Sequence, residues 1–279
     1  MIKVIVSHRT GNQMFQYAVG RHLAQIHRCP LYLDISSYGK NKSLYILPRF
    51  NISGKTLNPL PSLLFRKIFK QNLWQYSSEP IYYEKDRRFD KSVLTLPKSC
   101  TLAGFFQSEK YFKPSADIIR SEFSFNNFPV EKETLEVEKK IVNTNSVSIH
   151  VRRGDYLKIE RFKVCTEKYY EKAMNLIRDK ENNPVFYVFS DDIQWCINNF
   201  HCPDCIYIDP EQSHNDPLND MRLMSLCKHN IIANSSYSWW GAWLNNNPEK
   251  NIVCPYIWLN KENAPIEDKL CDGWIKLEF

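Results

Sequence analysis

Short runs of aliphatic and β-branched residues, each followed by a helical stretch with one apolar face, recur along this chain. That alternation constrains the fold more than any other feature. A strand, a helix and a second strand in succession build a parallel sheet. The pattern begins at once, with residues 2–6 reading as a buried strand. Phe15, Ala18, Val19, His22, Leu23 and Ile26 then fall at helical spacing on one face. Asn12 stands where that helix needs an N-cap. Leu31-Tyr32-Leu33 reads as the next strand.

Residues 40–100 are less regular, with Leu63-Leu64-Phe65 and Ile68-Phe69 hinting at a helix. Residues 101–105 form a candidate strand. The charge-rich residues 131–140 read as a helix with a solvated face, approaching a second domain. The alternation then resumes. Residues 146–149 and 185–189 read as strands, separated by a helix carrying Tyr169, Tyr170, Ala173, Met174 and Ile177. Asp216-Pro217 opens a further helix, with proline suited to its first turn. Residues 231–233 and 252–254 are the remaining strands, the second of them the last. The expectation is two β/α domains, residues 1–140 and 141–279.

A chain of 279 residues with 43% hydrophobic and 14% aromatic content can fill two cores. The net charge of +6 suits an anionic ligand or an acidic membrane surface. It is too modest and too scattered to indicate nucleic acid. Residues 2–6 are too short for the apolar part of a signal peptide. No apolar run approaches the ~18 residues of a membrane span. A cytoplasmic, bacterial protein is the expectation, with peripheral membrane contact if the acceptor is lipid-linked. The nine cysteines are scattered. Cys202-Pro203-Asp204-Cys205 has no second such pair to complete a zinc site, so reduced thiols and no metal are expected.

The chemistry concentrates in His150-Val151-Arg152-Arg153-Gly154-Asp155, which follows the strand at residues 146–149. In open α/β sheets ligands bind at the carboxyl ends of the strands. A guanidinium is a permanently charged planar fork that matches phosphate oxygens. A solvated strand end would explain an isolated arginine pair equally well. A second segment, Asn234-Ser235-Ser236-Tyr237-Ser238, lies between a strand and a helix. Hydroxyls and backbone N–H groups at a helix N-terminus suit phosphate, although serine also caps helices with no ligand.

Two more segments complete a pattern: Gly11-Asn12-Gln13-Met14-Phe15-Gln16-Tyr17-Ala18 and Phe106-Gln107-Ser108-Glu109-Lys110-Tyr111-Phe112. With the arginine segment and residues 234–243, which run on into Trp239-Trp240-Gly241-Ala242-Trp243, they resemble, in the same order, the family-11 glycosyltransferases, the bacterial α-1,2-fucosyltransferase family. The resemblance covers nearly the whole chain. It implies an α/β GT-B fold, two Rossmann-like β/α domains facing a cleft. It also implies a GDP-fucose donor, inversion at the sugar carbon, no metal and no cofactor. One departure stands out. The family usually carries a glycine pair before Gly-Asn-Gln, where this chain has Ser7-His8-Arg9-Thr10.

The resemblance assigns roles residue by residue. Arg152 would hold the departing diphosphate, the position that favours catalysis most. Arg153 would pair within the protein, with Asp155. His150 would lie against the nucleotide, or else be a core histidine. Asp220 stands where the superfamily places an acid that reads guanine, since a carboxylate can accept from the base's N1–H and N2–H₂ edge. It also suits a helix start. Ser235 and Ser236 would bind phosphate. Arg9 and Asn12 match the Arg-x-Gly-Asn-Gln loop with which protein O-fucosyltransferases contact the donor. The tryptophans at 239, 240 and 243 read as packing residues. Asp191-Asp192 reads as a helix N-cap and not a metal motif, and no Asp-x-Asp occurs. Asp155, Glu160 and Glu109 are candidates for the base, which stays unassigned.

The expected activity is transfer of L-fucose from GDP-fucose to O2 of a galactoside on a bacterial surface oligosaccharide. Transfer of a related GDP-deoxysugar such as colitose, and non-catalytic binding of a nucleotide sugar, are the rivals. A sulfotransferase would need a P-loop-like segment, which residues 7–12 do not supply.

Overall fold

A computed structural model describes residues 1–57, 79–126, 128–200, 202–209, 216–261 and 266–279. The chain divides into two compact units. Unit 1 comprises Met1–Asn126 with Glu267–Lys269, and unit 2 comprises Asn127–Ile266 with Leu270–Phe279. The helix hinted at by residues 63–69 lies outside the described residues.

Unit 1 holds strands β1 (Ile2–Ile5), β2 (Leu31–Asp34), β3 (Lys55–Leu57), β4 (Ile81–Tyr83) and β5 (Cys100–Ala103). They form one parallel sheet in the order β3-β2-β1-β5-β4. Helix α1 (Thr10–Ile26) joins β1 to β2, and a short α2 (Ala116–Glu122) follows β5. The predicted apolar face of α1 is buried as far as Leu23, while Ile26 at its end is 50% exposed. Gly20 lets α1 lie close on the sheet, because a Cβ there would come 2.4 Å from Val4 Cγ2.

Two buried glutamines of α1 organise the loops at the strand ends. Gln16 accepts from Ser7 N (2.9 Å) and donates to Gly104 O (2.9 Å), tying the loop after β1 to that after β5. Gln13 donates to His8 O (3.0 Å) and accepts from Ile46 N (2.9 Å). Asn12 is not the N-cap that the sequence suggested. Arg9 occupies that position without a side-chain capping bond. Asn12 is the third residue of the helix, and its Oδ1 accepts from Gln107 Nε2 at 2.6 Å.

Unit 2 begins with α3 (Lys132–Val142), whose buried residues are Thr134, Val137 and Ile141, as the solvated-face expectation requires. Strands β6 (Asn145–Val151), β7 (Pro184–Ser190), β8 (Cys205–Tyr207), β9 (His229–Ile231), β10 (Ile252–Pro255) and β11 (Ile275–Leu277) form a second parallel sheet. Its order is β11-β10-β9-β6-β7-β8. Helices α4 (Glu167–Lys180), α5 (Ile193–Asn199), α6 (Pro217–Leu226) and α7 (Ser236–Trp243) complete it. Val147, Ile149, Phe186, Val188, Ile231 and Val253 from the sheet pack on Tyr169, Tyr170, Ala173 and Ile177 of α4. The strand at 252–254 is not the last. β11 adds an edge too short and too exposed to give an apolar signal.

Two parallel α/β units in succession are the make-up expected of a GT-B chain. The cysteine expectation fails at one place. Cys202 and Cys205 are joined by a disulfide, because the intervening turn brings their Cα atoms to 5.4 Å, within bonding reach. The seven other cysteines form no disulfide among the described residues.

Candidate functional site

The strand order of unit 2 locates the site. From β6 the chain proceeds through β7 and β8 on one side, then returns to β9 on the other. The reversal point is therefore between β6 and β9, where loops diverge and leave a crevice at the strand carboxyl ends. The arginine segment leaves β6 there, and the serine segment leaves β9. Tyr156, just beyond the arginines, donates to Asn234 O at 3.3 Å and joins the two loops.

Arg152 is held by two carboxylates. Its Nη2 lies 2.6 Å from Asp155 Oδ1 and its Nη1 lies 2.9 Å from Asp191 Oδ2. Its guanidinium carbon is 5.5 Å from the centre of the Tyr156 ring. The expected Arg153–Asp155 pair is not formed. The chain turns immediately after β6, with Asp155 in the helical region (φ −71°, ψ −22°), and this carries Asp155 back to Arg152. Arg153 still pairs within the protein, but with Asp192 (Nε–Oδ2, 3.0 Å). Its guanidinium carbon lies 3.6 Å from the centre of the Trp195 ring. Asp192 also caps α5, accepting from Trp195 N, as the sequence suggested.

Asp191 reaches Arg152 because β7 runs parallel to β6 with Val151 opposite Ser190. Its second oxygen accepts from Arg153 N at 2.9 Å. Gly154 makes this packing feasible, since a Cβ there would meet Asp191 Oδ2 at 2.7 Å.

His150 is 5% exposed, and among the described residues its Nδ1 is buried without a hydrogen-bond partner. Burial, aided by the neighbouring Arg152 charge, pushes its pKa down to about 3. The ring is therefore neutral at physiological pH. An imidazole buried beside a guanidinium keeps a dry wall without adding a second positive charge. The Tyr237 ring lies 5.2 Å from that of His150.

Tyr237 in turn donates to Pro217 O at the start of α6. Its hydroxyl proton is held on by burial first, then by the charges of Asp220 and Asp216. Asp216 caps α6, accepting from Leu218 N at 3.0 Å, and Asp220 lies in the first turn. Tyr237 thus packs on His150 and feels the charges of Asp220 and Arg152. Ser235 caps α7, accepting from Tyr237 N at 3.3 Å, and Ser236 opens that helix.

Arg9 and Asn12 are in unit 1, at the start of α1. Of the candidate bases, Asp155 is committed to Arg152, and Glu160 pairs with Lys163 at 2.8 Å. Sequence reasoning missed Asp191, Tyr156 and Tyr237 as site residues. The first needed the β6–β7 register, and the other two needed the loop conformations.

Residues 1–278 match the family described as Glycosyl transferase family 11. The chain is 34% identical to an alpha-1,2-colitosyltransferase of Escherichia coli, over 96% of each protein. It is 33% identical to the O-antigen biosynthesis glycosyltransferase WbnK of Escherichia coli, over 96% of this chain and 97% of that one. A galactoside alpha-(1,2)-fucosyltransferase 1 of Mus musculus is 27% identical, over 85% of this chain and 61% of that protein.

Proposed function

Because this chain belongs to glycosyl transferase family 11, we propose that it moves L-fucose from GDP-fucose to the 2-hydroxyl of a galactoside, with inversion. The observation that carries this reading is Arg152. It stands at the sheet's reversal point, its plane fixed by Asp155 and Asp191. The acceptor hydroxyl oxygen bonds to C1 of the sugar and releases its proton to solvent, while the bond from C1 to the diphosphate oxygen breaks and its electron pair leaves with GDP. Negative charge therefore grows on the diphosphate. A fixed guanidinium aimed at that charge does the work a divalent metal does in other transferases. Asp155 and Asp191 act as positioning residues.

The nucleotide fits the rest of the site. His150 offers a dry, neutral surface with an unsatisfied ring nitrogen. Ser235 and Ser236 present the N-terminus of α7 to phosphate. Asp220 reads the guanine edge. Arg9 and Asn12 are proposed as further donor contacts. The work is assigned to the cytoplasmic face, on a surface oligosaccharide and with no nucleic acid partner. Among the described residues no helix is long and apolar enough to cross a membrane.

Transfer of colitose is the second reading, favoured by the name of the 34% identical relative. Colitose is fucose without its 3-hydroxyl, so both donors present the same diphosphate and anomeric carbon. Parallel assays with GDP-fucose and GDP-colitose on lactose decide between them. Faster transfer from GDP-colitose would replace the fucose reading.

Asp220→Ala is expected to weaken GDP binding by roughly tenfold to a hundredfold, the cost of a lost charged hydrogen-bond pair. Calorimetry with GDP, alongside a melting curve, checks it. Unchanged affinity in a folded variant would leave Asp220 as a helix-start acid only.

A further inference from the structure

Unit 1 has its own reversal point. From β1 the chain proceeds to β2 and β3, whereas β5 and β4 lie on the opposite side of β1. The crevice expected at such a point lies between the loops that follow β1 and β5. The first carries His8 and leads into α1 with Asn12, and the second carries Phe105 and Gln107.

Both loops hold a residue in an unusual backbone conformation. His8 and Phe106 both adopt left-handed backbone conformations, with φ of 66° and 52°, which only glycine adopts without strain. Non-glycine residues held in this region mark positions that their surroundings over-determine, and such positions cluster at ligand sites. Glu84 fixes the second loop, its carboxylate accepting from Phe105 N (2.7 Å) and Phe106 N (3.0 Å). The Asn12–Gln107 bond of 2.6 Å ties the two loops together.

The result is a composite surface. The exposed His8 ring packs at a steep angle on Phe105, with centroids 4.8 Å apart. The Arg87 guanidinium carbon lies 5.6 Å from the centre of the same Phe105 ring. Gln16 donates to Ser7 Oγ at 3.1 Å, and His8 Nδ1 shares a hydrogen bond with the same oxygen at 2.9 Å. With Nδ1 on Ser7, Nε2 is the ring nitrogen that can meet a ligand hydroxyl, which can both donate and accept. Partial burial and then the Arg87 charge hold the His8 pKa below its ordinary value, so the ring is neutral.

An aromatic ring flanked by a guanidinium and an imidazole is the chemistry that recognises a pyranoside: C–H groups on the ring, hydroxyls on the nitrogens. We propose that His8, Phe105 and Arg87 form the subsite that reads the acceptor galactoside, with His8 as a specificity-determining residue. This rests on the transferase reading above.

His8→Gly tests it without threatening the fold, because glycine suits the backbone at φ 66°. In the full chain the variant is expected to melt no lower than wild type and to bind GDP with unchanged affinity. Its KM for lactose should rise about tenfold or more, as for one lost hydrogen bond and its desolvated partner. Phe105→Leu should raise the same KM. Wild-type KM in both variants would overturn the subsite and leave the transferase reading standing. If the wild type transfers no sugar to lactose, the transferase reading fails instead. Saturation-transfer NMR with lactose then decides the subsite alone. Lactose signals lost in His8→Gly support it, and unchanged or absent signals overturn it.

Discussion

Arg152→Lys is expected to lower kcat on the order of 10²-fold or more, by comparison with removing a single oxyanion donor. Lysine keeps the charge but not the planar fork, and it cannot satisfy Asp155, Asp191 and a diphosphate in one fixed geometry. The contact strengthens as charge develops on the leaving group, so its loss falls on kcat rather than on KM. Arg153→Lys should behave differently. Arg153 bonds Asp192 and covers Trp195, so its loss loosens the start of α5 and shows in the melting temperature. Steady-state kinetics and melts on both variants check this. Near-normal kcat in Arg152→Lys with a collapse in Arg153→Lys would exchange the two roles.

Trp240→Ala is expected to have the largest effect on stability. Trp240 is fully buried and makes edge contacts with Trp239 and Trp243, at 5.0 and 5.1 Å between centroids. Truncating a core tryptophan costs about 3–5 kcal/mol, against a total stability of roughly 5–15 kcal/mol. The melting temperature should fall on the order of 10 °C. Because α7 carries Ser235 and Ser236 at its start, GDP affinity should fall as well. A near-wild-type melt with lost sugar binding would make these tryptophans a sugar platform and not core.

Much of this architecture could be read from residue patterns, and the failures have physical causes. The strands around β1, β6, β7 and β10 were legible because they are central or flanking strands rich in apolar residues. β3, β4 and β11 were not, being three-residue edges with little buried surface. The arginine segment was legible as a strand end. Its ion pairs were not, because they depend on a turn at Asp155 and on the parallel register that delivers Asp191. Asn12 looked like a cap by residue type, but the helix starts two residues earlier, at Thr10. His8 gave no signal beyond the missing glycine. Its interest comes from a backbone angle and from neighbours in β5's loop, distant in sequence.

On the proposed reading Arg152, with no metal ion, drives inverting transfer from a GDP-linked deoxysugar to O2 of a galactoside. The most direct measurement is a single reaction of the full chain with GDP-fucose and lactose in excess EDTA, its product read by NMR. The expected product is a fucosylated lactose carrying an α linkage at O2 of galactose, formed at the rate seen without the chelator. Loss of product in EDTA with recovery on adding Mn²⁺, or a linkage at another oxygen, would contradict it.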